Sequence, residues 1–143
     1  MRVGLVDIDS KIPNLALMKL SAYWKSNGAE VEMTSPLFAE EFDKVFASQV
    51  FDYTETPRLP ENTVIGGSGV SLSTTLDGEV ESMKPDYSLY GVDYSLGFTS
   101  RGCSRRCTFC VVPKKEGKAV VVGDVYSMLN ENSFTLFIWD NAE

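Results

Sequence analysis

No histidine occurs anywhere in this 143-residue chain. Without imidazole, a zinc site of three cysteines and one histidine cannot be completed. The base-off mode of cobalamin binding, which needs an Asp-x-His-x-x-Gly loop, is excluded as well. Cysteine is nearly as scarce, at three residues: Cys103, Cys107 and Cys110. An odd, tightly spaced set does not make a disulfide framework and points instead to metal or redox chemistry. Long apolar runs are missing too. The one at the N-terminus, MRVGLVDIDSK, is broken by Asp7 and Asp9 before a signal-peptide core would be complete, so a cytoplasmic protein with no membrane span is expected. Cations are in the minority, 13 against 20 anions, and the net charge of -7 makes nucleic acid an unlikely partner.

What remains is the composition of a globular chain long enough for one ordinary domain, or a small domain and part of another. Residues 3–8 form an apolar run ending in Asp7-x-Asp9, suited to a buried parallel strand with carboxylates at its C-terminal end. A helix follows: Asn14 is its N-cap, Leu17, Leu20 and Trp24 share a face, and Asn27-Gly28 is its stop. Residues 29–33 alternate as a half-exposed second strand, 45–51 read as a third, and 63–65 as a short fourth. Strand, helix, strand, loop, strand is the grammar of a doubly wound α/β sheet. A further strand, 94–100, delivers the chain into the cysteine loop. Beyond that loop, Asp124 caps a short helix through Asn130, and 134–139 read as another strand. The expected division is a doubly wound α/β domain over 1–92 and a second segment over 93–143, with the cysteine loop at 101–118.

Two features of the first domain invite a ligand. Gly66-Gly67-Ser68-Gly69 follows a strand as a phosphate-binding turn would, but lacks both the P-loop Lys-Ser/Thr and the G-x-G-x-x-G spacing, so it reads as a tight structural turn. Asp7 and Asp9 stand where a sheet's C-terminal edge could hold a cation or orient a substrate; capping the following turn is the simpler role.

The chemistry concentrates in RGCSRRCTFC, residues 101–110, with the spacing C-x-x-x-C-x-x-C. Three thiolates so close can converge on one centre only if the backbone wraps around it, and Gly102 helps the chain make that turn. Soft sulfur ligands select zinc, copper(I) or iron-sulfur clusters. Structural zinc wants a fourth ligand that is not here, whereas a 4Fe-4S cluster on three cysteines has one iron open to an outside molecule. The segment 101–118 carries six cations (Arg101, Arg105, Arg106, Lys114, Lys115, Lys118) against Glu116 alone, a net of +5 that leaves -12 for the rest. Positive charge there lowers thiolate pKa and offsets a negative cluster; a solvated basic loop is the plainer alternative.

At GFTSRGCSRRCTFCVVPKKEG the sequence resembles the cluster-binding segment of radical S-adenosylmethionine (radical SAM) proteins, matching C-x-x-x-C-x-aromatic-C at Cys103, Cys107, Phe109 and Cys110. The resemblance implies that the three cysteines bind a 4Fe-4S cluster whose fourth iron is chelated by S-adenosylmethionine. One-electron reduction then releases a 5'-deoxyadenosyl radical that abstracts hydrogen from a substrate. It implies Phe109 near the adenine, and Asp140, Asn141 and Glu143 of WDNAE where the family often places a Gly-Gly-Glu-like element at the methionine amino group. It also implies an electron donor. The N-terminal part is also similar to the leading domain of some members, a small Rossmann-like unit resembling a cobalamin-binding domain without its histidine, and NLALMKLSAY, GGSG and PDYSLY resemble phrases of an uncharacterised branch.

On this reading the chain is a Rossmann-like domain followed by the first strand-helix-strand of a partial (β/α)6 barrel, truncated within that barrel. A protein partner or self-association would then cover the open barrel edge. The other function class left open is a non-enzymatic binding module, with zinc or no metal at the cysteines.

Overall fold

The structure is a computed structural model that describes residues 1–140. The chain divides into two compact units, one over Met1–Gly91 and a second from Val92 on.

The first unit is α/β, built on a four-stranded parallel sheet compatible with a small Rossmann-like domain. Its strands are β1 (Arg2–Asp7), β2 (Glu30–Met33), β3 (Lys44–Ser48) and β4 (Thr63–Gly66), in the order β2-β1-β3-β4. Because strand side chains alternate, β1 sends Val3 and Leu5 to one face and Val6 to the other. Val3 and Leu5 pack with Leu17, Leu20 and Val80. Val6 packs with Ala39, Phe42, Val45 and Ala47. Gly4 shares the second face, and a side chain there would meet the Phe42 ring at 2.8 Å, so glycine leaves the room that Phe42 fills. The sheet is thus covered on both faces, as near-continuous apolar parallel strands require.

Helix α1 (Leu15–Ser26) begins and ends as its sequence dictates. The Asn14 side chain accepts from the Leu17 N–H at 3.3 Å. At the other end Gly28 adopts φ +81°, Gly28 N–H donates to Lys25 O and Ala29 N–H to Trp24 O, both at 3.0 Å, which forms a Schellman motif. The one-turn helix α2 (Gly78–Glu81) and the segment after it are tied to α1 by Lys19–Glu81 at 2.8 Å and by Asp86, which takes Ser21 Oγ and Lys25 Nζ at 2.6 Å each.

Strand β3 stops at Ser48, short of the expected residue 51. The N–H groups of Val50 and Phe51, which a longer strand would have donated to a neighbour, turn to the Asp9 carboxylate instead. The loop then curls under Gly66-Gly67-Ser68-Gly69: a Cβ on Gly67 would lie 2.2 Å from Gln49 O, and one on Gly69 2.4 Å from Phe51 O. The glycines are there for the close approach of two backbone segments.

In the second unit, β5 (Ser95–Gly97) pairs in parallel with β8 (Leu136–Ile138), and β6 (Ser100–Arg101) pairs antiparallel with β7 (Val120–Val121). The expected single strand over 94–100 is therefore divided. At Phe98 and Thr99 the chain changes partner from β8 to β7, and the Asp140 carboxylate takes the N–H groups of Thr99 and Ser100 at the break. The turn capped by Asp124 is 3-10 rather than α, over Val125–Met128, and Asp124 accepts from Ser127 N–H at 2.9 Å. Met128 packs over β5, where a Cβ on Gly97 would meet its sulfur at 2.8 Å. Buried Ser95 accepts from Asn130 N–H at 2.7 Å, fixing the turn's exit.

Candidate functional site

The β6–β7 pair is a neck from which residues 102–119 project as one loop. Gly102, buried, adopts φ +86°, and a Cβ on it would sit 2.3 Å from Lys118 O, so the two sides of the loop touch backbone to backbone at its base. Cys103 N–H donates to Gly117 O at 3.0 Å, one residue further out. Glu116 completes the base. Its Oε2 accepts from Gly102 N–H at 3.0 Å, and its Oε1 lies 3.4 Å from Arg101 Nη2. The Arg101 guanidinium in turn lies 4.6 Å from the centre of the Phe98 ring, a cation-π contact.

Above this base the loop makes a turn closed by Cys110 N–H to Cys107 O at 3.2 Å, then the single-turn helix α3 (Val112–Lys115) brings it back. Cys103, Cys107 and Cys110 all line one open hollow of about 700 Å3, together with Arg106, Lys114 and Lys118. Cys103 and Cys110 are half-buried and Cys107 is exposed. The Arg105 N–H donates to Cys103 Sγ at 3.4 Å. Burial pushes the Lys115 ammonium below its ordinary pKa, an effect that Arg101 adds to and Glu116 opposes.

Among the described residues, no three histidine, cysteine, aspartate or glutamate side chains stand as a group that could hold a metal ion. A single ion needs ligands meeting at a point, whereas an iron-sulfur cube takes its thiolates at separate corners. Cys103, Cys107 and Cys110 share the lining of the hollow without forming such a group.

The remaining expected site residues fall as follows. The Phe109 ring is 93% exposed and does not line the hollow. Asp140 has its carboxylate engaged by Thr99 N–H at 2.8 Å, by Ser100 N–H at 3.0 Å and by the Thr99 hydroxyl. Burial pushes this carboxyl up, but those hydrogen bonds outweigh it and hold the group below its usual range. Asn141 and Glu143 lie outside the described residues. In the first unit, Asp7 caps the turn after β1 through Ser10 N–H at 3.0 Å and takes the Tyr90 hydroxyl at 2.6 Å. Asp9 caps a different segment, through Val50, Phe51 and the Thr54 hydroxyl.

Sequence reasoning passed over Glu116, Thr99 and Tyr90. Glu116 carried a visible signal, being the sole acid in a stretch with six cations; Thr99 and Tyr90 carried none, since their partners lie 41 and 83 residues away.

No family model, no curated protein and no solved structure matches the chain. No helix among the described residues is long and apolar enough to cross a membrane.

Proposed function

We propose that the chain is a radical SAM protein whose second unit binds a 4Fe-4S cluster through Cys103, Cys107 and Cys110. The observation that carries this reading is that all three cysteines line one hollow, with Arg106, Lys114 and Lys118 on its walls. When bound, the cluster would supply one-electron reduction of S-adenosylmethionine. The chain's own residues shape where that takes place. With three cysteine thiols in the sequence, one iron of the cluster would be left for an outside ligand. The cations of the walls offset the negative charge that a thiolate-bound cluster brings. Phe109, with its ring exposed, would lie near the adenine, and Asp140, Asn141 and Glu143 are the candidates for the methionine amino group, Asp140 being already engaged by Thr99 and Ser100. Electrons come from an external donor.

The parallel β5–β8 pair supports reading this unit as the start of a barrel, with exposed Phe137 and Ile138 on β8 as the surface that further strands, a second copy or a partner would cover.

The test is anaerobic reconstitution with iron and sulfide, followed by assay of both. About four irons per chain with matching sulfide, lost in Cys107→Ala, is expected, and addition of S-adenosylmethionine and dithionite then yields 5'-deoxyadenosine. Fewer than about three irons per chain, or a Cys107→Ala variant that loads like the parent, overturns the reading. Zinc at about one per chain with no labile sulfide establishes the non-enzymatic binding module in its place.

A further inference from the structure

Glu116 occupies an unusual place for the only acid of a basic loop. It lies at the loop's exit, does not line the hollow, and reaches back to the residue just before the first cysteine. It accepts from Gly102 N–H at 3.0 Å while the neighbouring Cys103 N–H donates to Gly117 O at 3.0 Å, so Glu116 and Gly117 receive two successive N–H groups just past β6. Gly102 cannot carry a side chain in this arrangement, because Lys118 O stands 2.3 Å from where its Cβ would be. Three consecutive residues on the exit side, Glu116, Gly117 and Lys118, therefore grip two on the entry side.

We propose that Glu116 is a positioning residue: its hydrogen bond to Gly102 N–H closes the neck of the loop and sets Cys103 on the same hollow as Cys107 and Cys110. The physical need is plain. Cys107 and Cys110 are placed relative to one another by their own turn, Cys110 N–H to Cys107 O. Cys103 takes the Arg105 N–H on its sulfur at 3.4 Å, and its own N–H is held from the other side of the loop by Gly117 O. A carboxylate is the stronger acceptor for the Gly102 N–H, and the Arg101 guanidinium, stacked on Phe98, aims it.

As a proposal about cluster loading, this rests on the function proposed above; as a proposal about Cys103, it does not. Two measurements separate them. In the metal-free chain, alkylation of the three cysteines is followed residue by residue by mass spectrometry. Half-buried Cys103 reacts several-fold more slowly than exposed Cys107 in the parent; Glu116→Ala erases most of that difference, while Glu116→Gln, which retains an acceptor for Gly102 N–H, preserves it. In reconstituted protein, Glu116→Ala loses at least half of the iron and sulfide that the parent holds, Glu116→Gln keeps the larger part, and the thermal midpoint of the first unit is the same in all three. A Glu116→Ala chain with parental alkylation rates, or a Glu116→Gln chain as impaired as Glu116→Ala, overturns the proposal. A parent that takes up no cluster overturns the proposed function and leaves the alkylation result to decide the role of Glu116.

Discussion

The Asp9 carboxylate accepts the Val50 N–H at 2.7 Å, across 41 residues of sequence, and with the Phe51 N–H at 2.9 Å and the Thr54 hydroxyl at 2.7 Å it converts the continuation of β3 into a loop. Burial pushes the Asp9 carboxyl up, but the three hydrogen bonds prevail and hold its pKa below the ordinary value. A carboxyl depressed in the folded state stabilises the fold above its unfolded pKa, and that contribution disappears as pH falls through the folded value. Stability of the first unit is therefore expected to decline from about pH 4 downward, and Asp9→Ala, which removes about 1–3 kcal/mol at neutral pH, is expected to flatten that decline. Urea melts of both chains at pH 7 and pH 3.5 check it.

Asn14 has two jobs. Its Oδ1 caps α1 at Leu17 N–H, and its Nδ2 donates to Ser10 Oγ and Ser48 Oγ, both at 2.9 Å, joining the helix start to the end of β3. Asn14→Ala is expected to cost about 1–2 kcal/mol, and Asn14→Asp less than that, since the cap survives and only the donor is lost. Denaturant midpoints at constant slope give the comparison.

Gly67 holds φ +106° with Gln49 O 2.2 Å from the position a Cβ would take. Gly67→Ala is expected to destabilise the first unit by about 2 kcal/mol or more, from strain and from a backbone contact that cannot yield. Gly78, where an added Cβ meets nothing within 4 Å, is the control. A thermal shift for Gly67→Ala no larger than that for Gly78→Ala would contradict this account of the glycine turn.

Asp140 gathers Thr99 and Ser100 at the point where the chain leaves β5 for β6. Asp140→Ala is expected to raise amide exchange at Thr99 and Ser100 at least tenfold while leaving the amides of β1 and β3 unchanged. Exchange read by NMR distinguishes this local loosening from global loss of stability.

Phe109 is expected to separate folding from cofactor contact. With its ring 93% exposed, Phe109→Ala leaves the thermal midpoint within about 1 °C of the parent, because a solvent-facing side chain contributes little to the core. Under the proposed function the same variant, once reconstituted, binds S-adenosylmethionine several-fold more weakly. Parental affinity would remove Phe109 from the adenine site and leave the cysteines' assignment as it stands.

The sequence by itself determined those parts of the molecule that rest on short-range chemistry. Helix α1 with Asn14 at one end and Gly28 at the other, the apolar run that makes β1 a buried parallel strand, and the spacing that puts three thiols within one loop were all legible, because caps, apolar runs and ligand spacing act over a few residues. Tertiary structure alone decided where strands end and which side chains hold the loops. Strand β3 stops because Asp9 takes its N–H groups, the expected strand over 94–100 divides because Asp140 takes those of Thr99 and Ser100, and the cysteine loop closes because Glu116 takes that of Gly102. A backbone N–H must be satisfied wherever it is withdrawn from water, and the acceptor can come from any residue the fold brings near. No local pattern encodes that choice.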